Sequence, residues 1–462
     1  MSRNVPLHVI ILAAGQGTRM KSALPKVLHA IAGKPMLGHV IDAARELGAA
    51  AIHVVVGHGS DAVRRWADGH DQAHSLHWAL QGEQKGTAHA VQQALPQVPD
   101  GAQVLVLYGD VPLASTAMLR ELVAAGGKTL ALATVELEQP HGYGRIVRNR
   151  QRDVTGIVEE KDANARQRAI REINTGLMSA PAKRLRGWLA NVKNHNANGE
   201  FYLTDVVAMA AKAGLKIATV AADAREVEGA NDRAQLARLE RTLQQRQAEA
   251  LMRAGVALAD PARFDLRGTL THGRDVTIDV GCVFEGEVAL ADDVKIGPYC
   301  VLRNVRLGAG TIVHAHSVLD GCEAGAACVI GPFARVRPTT ALAAGAHVGN
   351  FVEVKNATFG ENTKANHLAY VGDAKIGART NIGAGVITCN YDGAHKHLTT
   401  IGDDVFVGSD TQLVAPVTVH DGATIGAGST ITREVPAGGL TIARAREQKT
   451  LANWQRPRKQ PK

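Results

Sequence analysis

The residues Ile401-Gly-Asp-Asp-Val-Phe-Val407-Gly-Ser-Asp-Thr-Gln-Leu413 begin a run in which an aliphatic side chain returns at every sixth position, up to Ile431. A small or β-branched residue follows each of these aliphatic residues after four positions: Val405, Thr411, Val417, Ala423, Ser429 and Val435. Neither the 3.6-residue period of a helix nor the two-residue period of a strand produces this pattern. A six-residue repeat predicts a parallel β-helix, in which each hexad supplies one short strand and one turn.

The same interval occurs twice earlier, at Ile278, Phe284, Leu290, Ile296 and Leu302, and at Val318, Ala324, Ile330, Val336, Leu342, Val348 and Val354. We expect these side chains, together with Cys282 and Cys300, to fill the interior of a narrow prism. Glycine follows several of the aliphatic positions: Gly377, Gly383, Gly402, Gly408 and Gly426. We expect these glycines to supply backbone angles that other residues avoid.

The first half of the chain has a different organisation. Apolar runs occupy 9–12, 52–56 and 104–107, and a helical stretch around 40–47 separates the first two. Continuous apolar strands joined through helices predict a parallel sheet covered on both faces, which is a Rossmann-like α/β domain. The polar stretch RLERTLQQRQAEALM then predicts a connecting helix. We therefore expect an α/β domain at 1–233, a helical linker at 234–254 and a β-helix at 255–462.

Composition and charge exclude several classes of protein. Five cysteines without paired spacing argue against a disulfide framework, and the apolar start of the chain predicts a strand rather than a signal peptide. No apolar run is long enough to span a bilayer, which argues against membrane insertion. The net charge of +8 accompanies only 4% aromatic residues, which favours small anionic ligands over nucleic acid. We expect a cytoplasmic protein whose basic tail (Arg456, Arg458, Lys459 and Lys462) is a disordered end.

A candidate phosphate site follows the first predicted strand. Gly15 and Gly17 allow backbone N–H groups to approach phosphate oxygens, and Arg19 and Lys26 add two cations suited to a triphosphate. The loop lacks the Gly-Lys-Ser/Thr ending of a Walker A motif and the third glycine of a dinucleotide fingerprint. Asp110 follows the 104–107 run and could hold Mg²⁺ beside phosphates, although an isolated aspartate at a strand end is more commonly a turn cap.

The segments LAAGQGTRM, LPK, YGDVP, GYGRIV, VEEKD and INTG together resemble those of the nucleotide-sugar pyrophosphorylases, from about residue 7 to about 233. With the six-residue repeats, nearly the whole chain resembles the bifunctional N-acetylglucosamine-1-phosphate uridylyltransferase/glucosamine-1-phosphate N-acetyltransferase family. The similarity is greatest around 381–390 and 403–417. It implies that the β-helix is left-handed and forms a homotrimer, a handedness that the usual right-handed crossover rule does not predict.

The resemblance implies that the first domain transfers UMP from UTP to N-acetylglucosamine-1-phosphate and releases pyrophosphate. In-line attack on the α-phosphorus needs positioning and charge neutralisation rather than a protein nucleophile. Arg19 and Lys26 are implied as catalytic residues on the phosphates, and Asp110 and Asn231 as ligands of Mg²⁺. The residues implied in binding UTP and the UDP-sugar are Leu12, Ala13, Ala14, Gly15, Lys26, Gln81, Gly86, Thr87, Tyr108, Gly109, Asp110, Gly144, Glu159, Asn174 and Asn231. Taken alone, Glu159 and Asn174 are more typical of surface or capping positions.

The resemblance also implies that the second domain acetylates glucosamine-1-phosphate with acetyl-CoA. Acetyl transfer to an amine needs a base, and histidine suits this role near neutral pH. His367 is implied as the general base, whereas most other histidines in this half are expected to be solvated turn residues. The implied ligands of the acceptor are Arg337, Lys355, Tyr370 and Asn381, and those of acetyl-CoA are Ala384, Asn390, Tyr391, Ser409, Ala427 and Arg444.

The segment 388–394 interrupts the hexads, and insertions into solenoids commonly carry binding residues. Its polar and aromatic content favours a binding role over a plain surface insertion, and the resemblance implies that it helps to form the acetyl-CoA site. Two other functions are considered. One is a nucleotidyltransferase whose β-helix only regulates or trimerises it, and the other is a non-enzymatic trimeric scaffold or sugar-nucleotide-binding module. His367, Lys355 and the insertion argue against the first alternative. The set Arg19, Lys26, Asp110 and Asn231 argues against the second.

Overall fold

The computed structural model describes residues 5–70 and 76–444, and the chain divides into two compact units, Met1–Leu243 and Gln244–Lys462. The basic tail that we expect to be a disordered end lies outside the described residues. Within the described ranges, no helix combines the length and the apolar character that crossing a bilayer requires.

The first unit is built on a mixed sheet. In spatial order its strands are Ala218–Ala221, Ala131–Glu136, Glu172–Pro181, Gln103–Tyr108, Leu7–Leu12, Ala51–Val56 and Leu76–Leu80, and the strands Arg145–Arg148 and Val154–Val158 branch from it. The α-helices of this unit that precede residue 230 are Met36–Glu46, Ser60–Asp68, Thr87–Ala94, Thr116–Gly126, Ala165–Arg168, Ala182–Leu189, Asp205–Lys212 and Ala224–Val227. Leu7–Leu12 pairs in parallel with a strand on each side and is almost completely buried, because packed elements cover both faces of the sheet.

The three strands predicted from the apolar runs pair in parallel, as expected, but the complete sheet also contains antiparallel strands. Glu172–Pro181 runs antiparallel to both of its main neighbours in the sheet. The strands Arg145–Arg148 and Val154–Val158 form an antiparallel hairpin just before it. The chain then enters Glu172–Pro181 without the long helical crossover that a parallel strand requires.

The second unit is a coil of parallel strands. One sheet contains Ala257–Leu258, Thr277–Ile278, Lys295–Ile296, Ile312–Val313, Val329–Ile330, His347–Asn350, Lys364–His367, Asn381–Ile382, Phe406–Val407, Thr424–Ile425 and Leu440–Thr441. The other contains Asp265–His272, Val283–Leu290, Val301–Leu307, Val318–Asp320, Cys322–Ala324, Arg335–Val336, Thr340–Leu342, Glu353–Phe359, Tyr370–Ile376, Ile387–Cys389, Thr399–Ile401, Gln412–Val414, Val417–Val419 and Thr430–Ile431. These parallel ladders are those of a left-handed β-helix, so the predicted fold class is confirmed.

The interior of this coil follows the six-residue pattern with one exception. From Ile401 to Val435 all the predicted interior positions are buried, and Cys282 and Cys300 are buried as well. The prediction for Val318 is wrong: Val318 is 42% exposed, and its neighbour Leu319 is buried in its place. Leu319 pairs with Leu302 of the preceding coil. The next predicted interior residue, Ala324, follows Leu319 by five positions rather than six. Counting in sixes is therefore wrong by one position at this corner.

The role predicted for the hexad glycines is also wrong. Gly377, Gly383, Gly402, Gly408 and Gly426 do not have left-handed backbone angles. A Cβ on Gly408 would instead lie 2.5 Å from the backbone nitrogen of Ala427 in the next coil. Glycine is therefore required for close approach between coils. Left-handed angles occur at exposed corner residues such as Phe333 and Phe351, with φ of 55° and 56°.

The helix Arg233–Arg253 overlaps the expected linker. Within the first unit, its residue Leu239 is buried in a cluster with Met36. Within the second unit, the amide of Gln244 donates to the carbonyl of Leu266 (3.0 Å) and accepts from the N–H of the same residue (2.7 Å). The predicted boundaries at 233 and 254 stay a prediction.

Candidate active sites

The first candidate site is a cavity of about 400 Å³ at the carboxyl ends of Leu7–Leu12 and Gln103–Tyr108. Ligands of α/β proteins collect at this edge of the sheet. The predicted residues that line it are Leu12, Ala13, Ala14, Gly15, Lys26, Gln81, Gly86, Thr87, Tyr108, Asp110 and Asn231. Gly109 lies between two of them and donates its N–H to the carbonyl of Leu12 (2.9 Å). Gln84 and Glu200 also line the cavity and were not identified from the sequence.

The two glycines of the first loop act differently. Gly17 has a φ of 62°, and a Cβ there would lie 2.6 Å from the Cβ of Lys26, so glycine lets the loop pack against that lysine. A Cβ on Gly15 would meet no atom within 4 Å. The backbone at Gly15 thus borders open space, which is what close approach of a phosphate requires.

Lys26 connects the loop to two oxygen donors. Its Nζ lies 2.5 Å from Oδ2 of Asp110 and 3.1 Å from Oδ1 of Asn231. The side chains of Lys26 and Asp110 are only 14% and 15% exposed. Two hard oxygen atoms therefore lie within reach of one cation, which fits a divalent ion that completes its shell with water and substrate phosphates. Among the described residues there is no group of three or more His, Cys, Asp or Glu side chains that could hold a metal ion.

Three further predicted residues form a separate cluster. The N–H of Asn174 donates to the carbonyl of Gly144 (2.8 Å), and a Cβ on Gly144 would lie 3.2 Å from each carboxylate oxygen of Glu159. Burial raises the pKa of Glu159, which accepts a hydrogen bond from the Thr204 hydroxyl (3.0 Å). These residues lie together, although their binding roles stay predictions.

Tyr108 lines the cavity and is also close enough to Glu159 of this cluster for the charge of Glu159 to affect its phenol. Burial, followed by the charges of Glu159 and Asp110, raises the pKa of Tyr108, so its phenol stays protonated. Arg19 belongs neither to the cavity lining nor to this cluster, and it is exposed in the short 3₁₀ helix Thr18–Met20. Its role on the phosphates stays a prediction.

The second candidate site is at an edge of the β-helix. His367 ends the strand Lys364–His367, and its Nδ1 lies 2.9 Å from Oδ1 of Asn350 in the preceding coil. Because an amide oxygen only accepts, this contact places the proton of a neutral imidazole on Nδ1 and leaves the lone pair on Nε2. Both residues line an open depression of about 500 Å³. Asn350 was not identified from the sequence, although it lies one coil before His367, directly opposite in the ladder.

The predicted coenzyme ligands lie along the same edge of the β-helix, in the coils that follow His367. His367, Ala384, Ser409 and Ala427 each follow an interior residue by two positions, and those interior residues pair in register from coil to coil. The Nε of Arg444 donates to the carbonyl of Ala427 (2.6 Å). The regular coil thus aligns the predicted base with three predicted acetyl-CoA ligands, and Arg444 contacts the last of them.

The predicted acceptor ligands surround a positive region. Arg337 is paired with Glu353 (2.8 Å), and the nearby ammonium group of Lys396 lowers the pKa of Lys355. Adjacent ammonium groups repel each other, and an anion between them would relieve that repulsion. Lys396 was not identified from the sequence, where it is only one basic residue of the insertion.

The remaining predicted residues lie nearby in the coil. The amide of Asn390 is 3.5 Å from the Tyr370 hydroxyl and also donates to the buried carboxylate of Asp373. Tyr391 is 60% exposed. Asn381 pairs with Lys364 in the sheet that carries His367. The structure therefore brings Tyr370 together with Asn390, and the functional roles of all four residues stay predictions.

Comparison with known proteins identifies relatives along the whole chain. The family model of the MobA-like NTP transferase domain matches residues 9–174, and that of the bacterial transferase hexapeptide (six repeats) matches residues 398–433. Three relatives share the name "Bifunctional protein GlmU". The protein of Marinobacter nauticus is 56% identical, over 98% of this chain and 99% of its own. Those of Aromatoleum aromaticum and Stenotrophomonas maltophilia are each 58% identical, over 98% of this chain and 98% and 99% of their own.

Proposed function

Because the chain belongs to the family of bifunctional GlmU proteins, we propose that each of its two units carries one complete set of catalytic groups. The chain is a UDP-N-acetylglucosamine diphosphorylase and a glucosamine-1-phosphate N-acetyltransferase, which confirms the predicted function. The alternative of one activity with a regulatory β-helix is not favoured. We assign the first activity to residues 1–233 and the second to residues 255–462, with 234–254 as the linker.

In the first unit, UTP lies with its phosphates along the backbone at Gly15 and its charge near Lys26, with Arg19 as a further cation. A phosphate oxygen of N-acetylglucosamine-1-phosphate attacks the α-phosphorus of UTP, and the bond to the departing pyrophosphate breaks. Mg²⁺, held by Asp110 and Asn231, neutralises phosphate charge when it is bound. Gly144, Glu159 and Asn174 orient the sugar ring. The observation that supports this arrangement is the contact of Lys26 with both Asp110 and Asn231.

In the second unit, the amine of glucosamine-1-phosphate attacks the thioester carbon of acetyl-CoA. A C–N bond forms, the C–S bond breaks, and the thiol of CoA leaves. His367 accepts the amine proton on Nε2, because Asn350 holds the other ring nitrogen as a donor. Arg337, Lys355 and Lys396 neutralise the phosphate of the acceptor, and Tyr370 and Asn381 hold its sugar. Ala384, Asn390, Tyr391, Ser409, Ala427 and Arg444 bind the coenzyme.

The hexapeptide repeats indicate an oligomer, and we propose a homotrimer. The supporting observation is a row of exposed corner residues, Tyr299, His316, Phe333 and Phe351, whose rings stack 4.9–5.3 Å apart. Leu368 in the next coil is 61% exposed. A continuous exposed apolar row of this kind is typical of a surface that another chain covers. We also propose a cytoplasmic location, which the five free thiols support. Besides the other subunits, we propose only small-molecule substrates as partners.

One experiment tests both halves. Glucosamine-1-phosphate, acetyl-CoA, UTP and Mg²⁺ are supplied together, and we expect UDP-N-acetylglucosamine, CoA and pyrophosphate. Omission of acetyl-CoA should prevent formation of UDP-N-acetylglucosamine, and N-acetylglucosamine-1-phosphate should restore it. A chain that forms the product only from added N-acetylglucosamine-1-phosphate would have the first activity alone.

A further inference from the structure

The insertion that interrupts the β-helix is held closed by one carboxylate. Oδ1 of Asp392 accepts hydrogen bonds from the backbone N–H groups of Ala394 (2.8 Å) and His395 (2.6 Å). Its Oδ2 accepts a hydrogen bond from Nε2 of His397 (2.7 Å). The turn residue Tyr391 forms an isolated antiparallel bridge with Lys396. Asp392 therefore bonds to both the tip and the returning arm of this turn.

The same contacts keep Asp392 charged. The backbone N–H of His395, then the His397 ring and the N–H of Ala394, lower the pKa of the Asp392 carboxyl, so it stays ionised at neutral pH. Hydrogen bonds to an ionised acceptor are stronger than those between neutral groups. The backbone N–H of His397 in addition donates to the carbonyl of Asn390 (2.8 Å), which ties the returning arm to the start of the insertion.

Lys396 lies between the two residues that these contacts hold in place, Asp392 and His397. It precedes His397 in the returning arm, and its ammonium group lies close enough to Lys355 to lower the pKa of that lysine, within the positive region described above. A lysine side chain loses much rotamer freedom when it is held in one place, so the backbone below it must be fixed for this proximity to persist. The Asp392–His397 contact supplies that fixation at the position next to Lys396.

We propose that Asp392 and His397 are positioning residues that hold Lys396 in place for the phosphate of the acceptor sugar. This inference rests on the proposed acetyltransferase site. Neither side chain is required to touch the substrate, since each acts through the backbone that carries Lys396. Loss of the pair should weaken binding of the acceptor without slowing the chemical step, because the phosphate takes no part in the bonds that form and break during acetyl transfer.

The test uses the full chain and compares His397→Phe, His397→Gln and a matched control. His420→Phe is the control, because His420 is also paired with a carboxylate, Glu434, outside the insertion. For His397→Phe we expect KM for glucosamine-1-phosphate to rise about tenfold, which corresponds to ~1.4 kcal/mol, while kcat changes less than about twofold. Inorganic phosphate, used as a competitive inhibitor, should lose potency by a similar factor. His397→Gln keeps an N–H donor and should restore most of the binding.

The other outcomes overturn the inference. A rise in KM for acetyl-CoA instead would show that the turn serves the coenzyme, and a fall in kcat with unchanged KM would place His397 in the chemical step. Unchanged kinetics, or the same KM shift in His420→Phe, would show that the pair positions nothing. The uridylyltransferase rate of each preparation reports the amount of intact chain. An unmodified chain that fails to transfer acetyl at all refutes the proposed function rather than this inference.

Discussion

The two candidate sites are built by opposite means. In the first unit the residues that line the cavity come from distant parts of the chain, from Leu12 to Asn231, and the partly buried Lys26 contacts both proposed oxygen ligands. In the second unit, His367, Ala384, Ser409 and Ala427 repeat one position of successive coils. The first site therefore depends on a few charged contacts, and the second depends on the register of a ladder. Substitutions should consequently affect the two activities independently.

The largest expected effect is that of a substitution at Asp110, which should greatly reduce one activity and leave the other unchanged. Asp110→Ala removes the carboxylate that contacts Lys26 and one of the two proposed ligands of the divalent ion. We expect uridylyl transfer to fall by about 10³-fold or more, because several kcal/mol of charge stabilisation are lost at ~1.4 kcal/mol per factor of ten. Acetyl transfer should be unchanged. Rates of both reactions on one preparation decide the outcome, and loss of both activities would contradict independent sites.

The complementary substitution is His367→Ala. General-base catalysis contributes about 10²–10⁴-fold, so acetyl transfer should fall by about 10³-fold while uridylyl transfer persists. Asn350→Ala keeps the imidazole but removes the acceptor for its Nδ1–H, and we expect a smaller loss in kcat. A full acetyltransferase rate in His367→Ala would exclude His367 as the base.

The same contrast explains how much the sequence predicts. In the β-helix, nearly every residue that counting in sixes selects is buried, because one side-chain size repeats at one distance from the axis. It is wrong at Val318, where a corner is one residue shorter, a feature of backbone geometry that residue type does not mark. In the first unit, no period relates Glu159 to Asn174, and only family resemblance identified them. Asn350 and Lys396 were missed because their roles arise from contacts between coils and within an irregular turn.

Acid should weaken the first unit through a buried pair of histidines. Nδ1 of His8 lies 3.0 Å from Nε2 of His53, which is 1% exposed, and the ring of His77 stacks on His53 at 5.1 Å. Burial lowers the pKa of His53 from 6.5 to about 4 and also lowers that of His8. Between pH 6.5 and pH 4 the unfolded chain binds protons that the folded chain does not, so stability is full above pH 6.5 and falls as the pH drops.

For His53 this loss amounts to about 3 kcal/mol at most, at ~1.4 kcal/mol per pKa unit. Urea unfolding of the first unit at pH 7 and pH 5 measures the part of this loss within that range, about 2 kcal/mol, because pH 5 lies about 1.5 units below 6.5. His53→Gln should reduce the difference between the two pH values, since glutamine does not titrate. An unchanged difference in this variant would show that the acid sensitivity arises from other groups.

The smallest expected effects concern the close approach of adjacent coils in the β-helix. Alanine substitutions at Gly408 and Gly428, two glycines of the same region, form a matched pair that tests it. Gly408→Ala places a Cβ 2.5 Å from the backbone nitrogen of Ala427 and 2.7 Å from the carbonyl of Ile425, so adjacent coils must separate. Overpacking of this kind costs about 1–3 kcal/mol. Gly428 has a φ of 69° and open space around its Cβ position, so Gly428→Ala meets only the left-handed backbone penalty of about 1 kcal/mol. Unfolding of the second unit should therefore shift more for Gly408→Ala, and the reverse order would mean that backbone angle, rather than close approach, requires the hexad glycines.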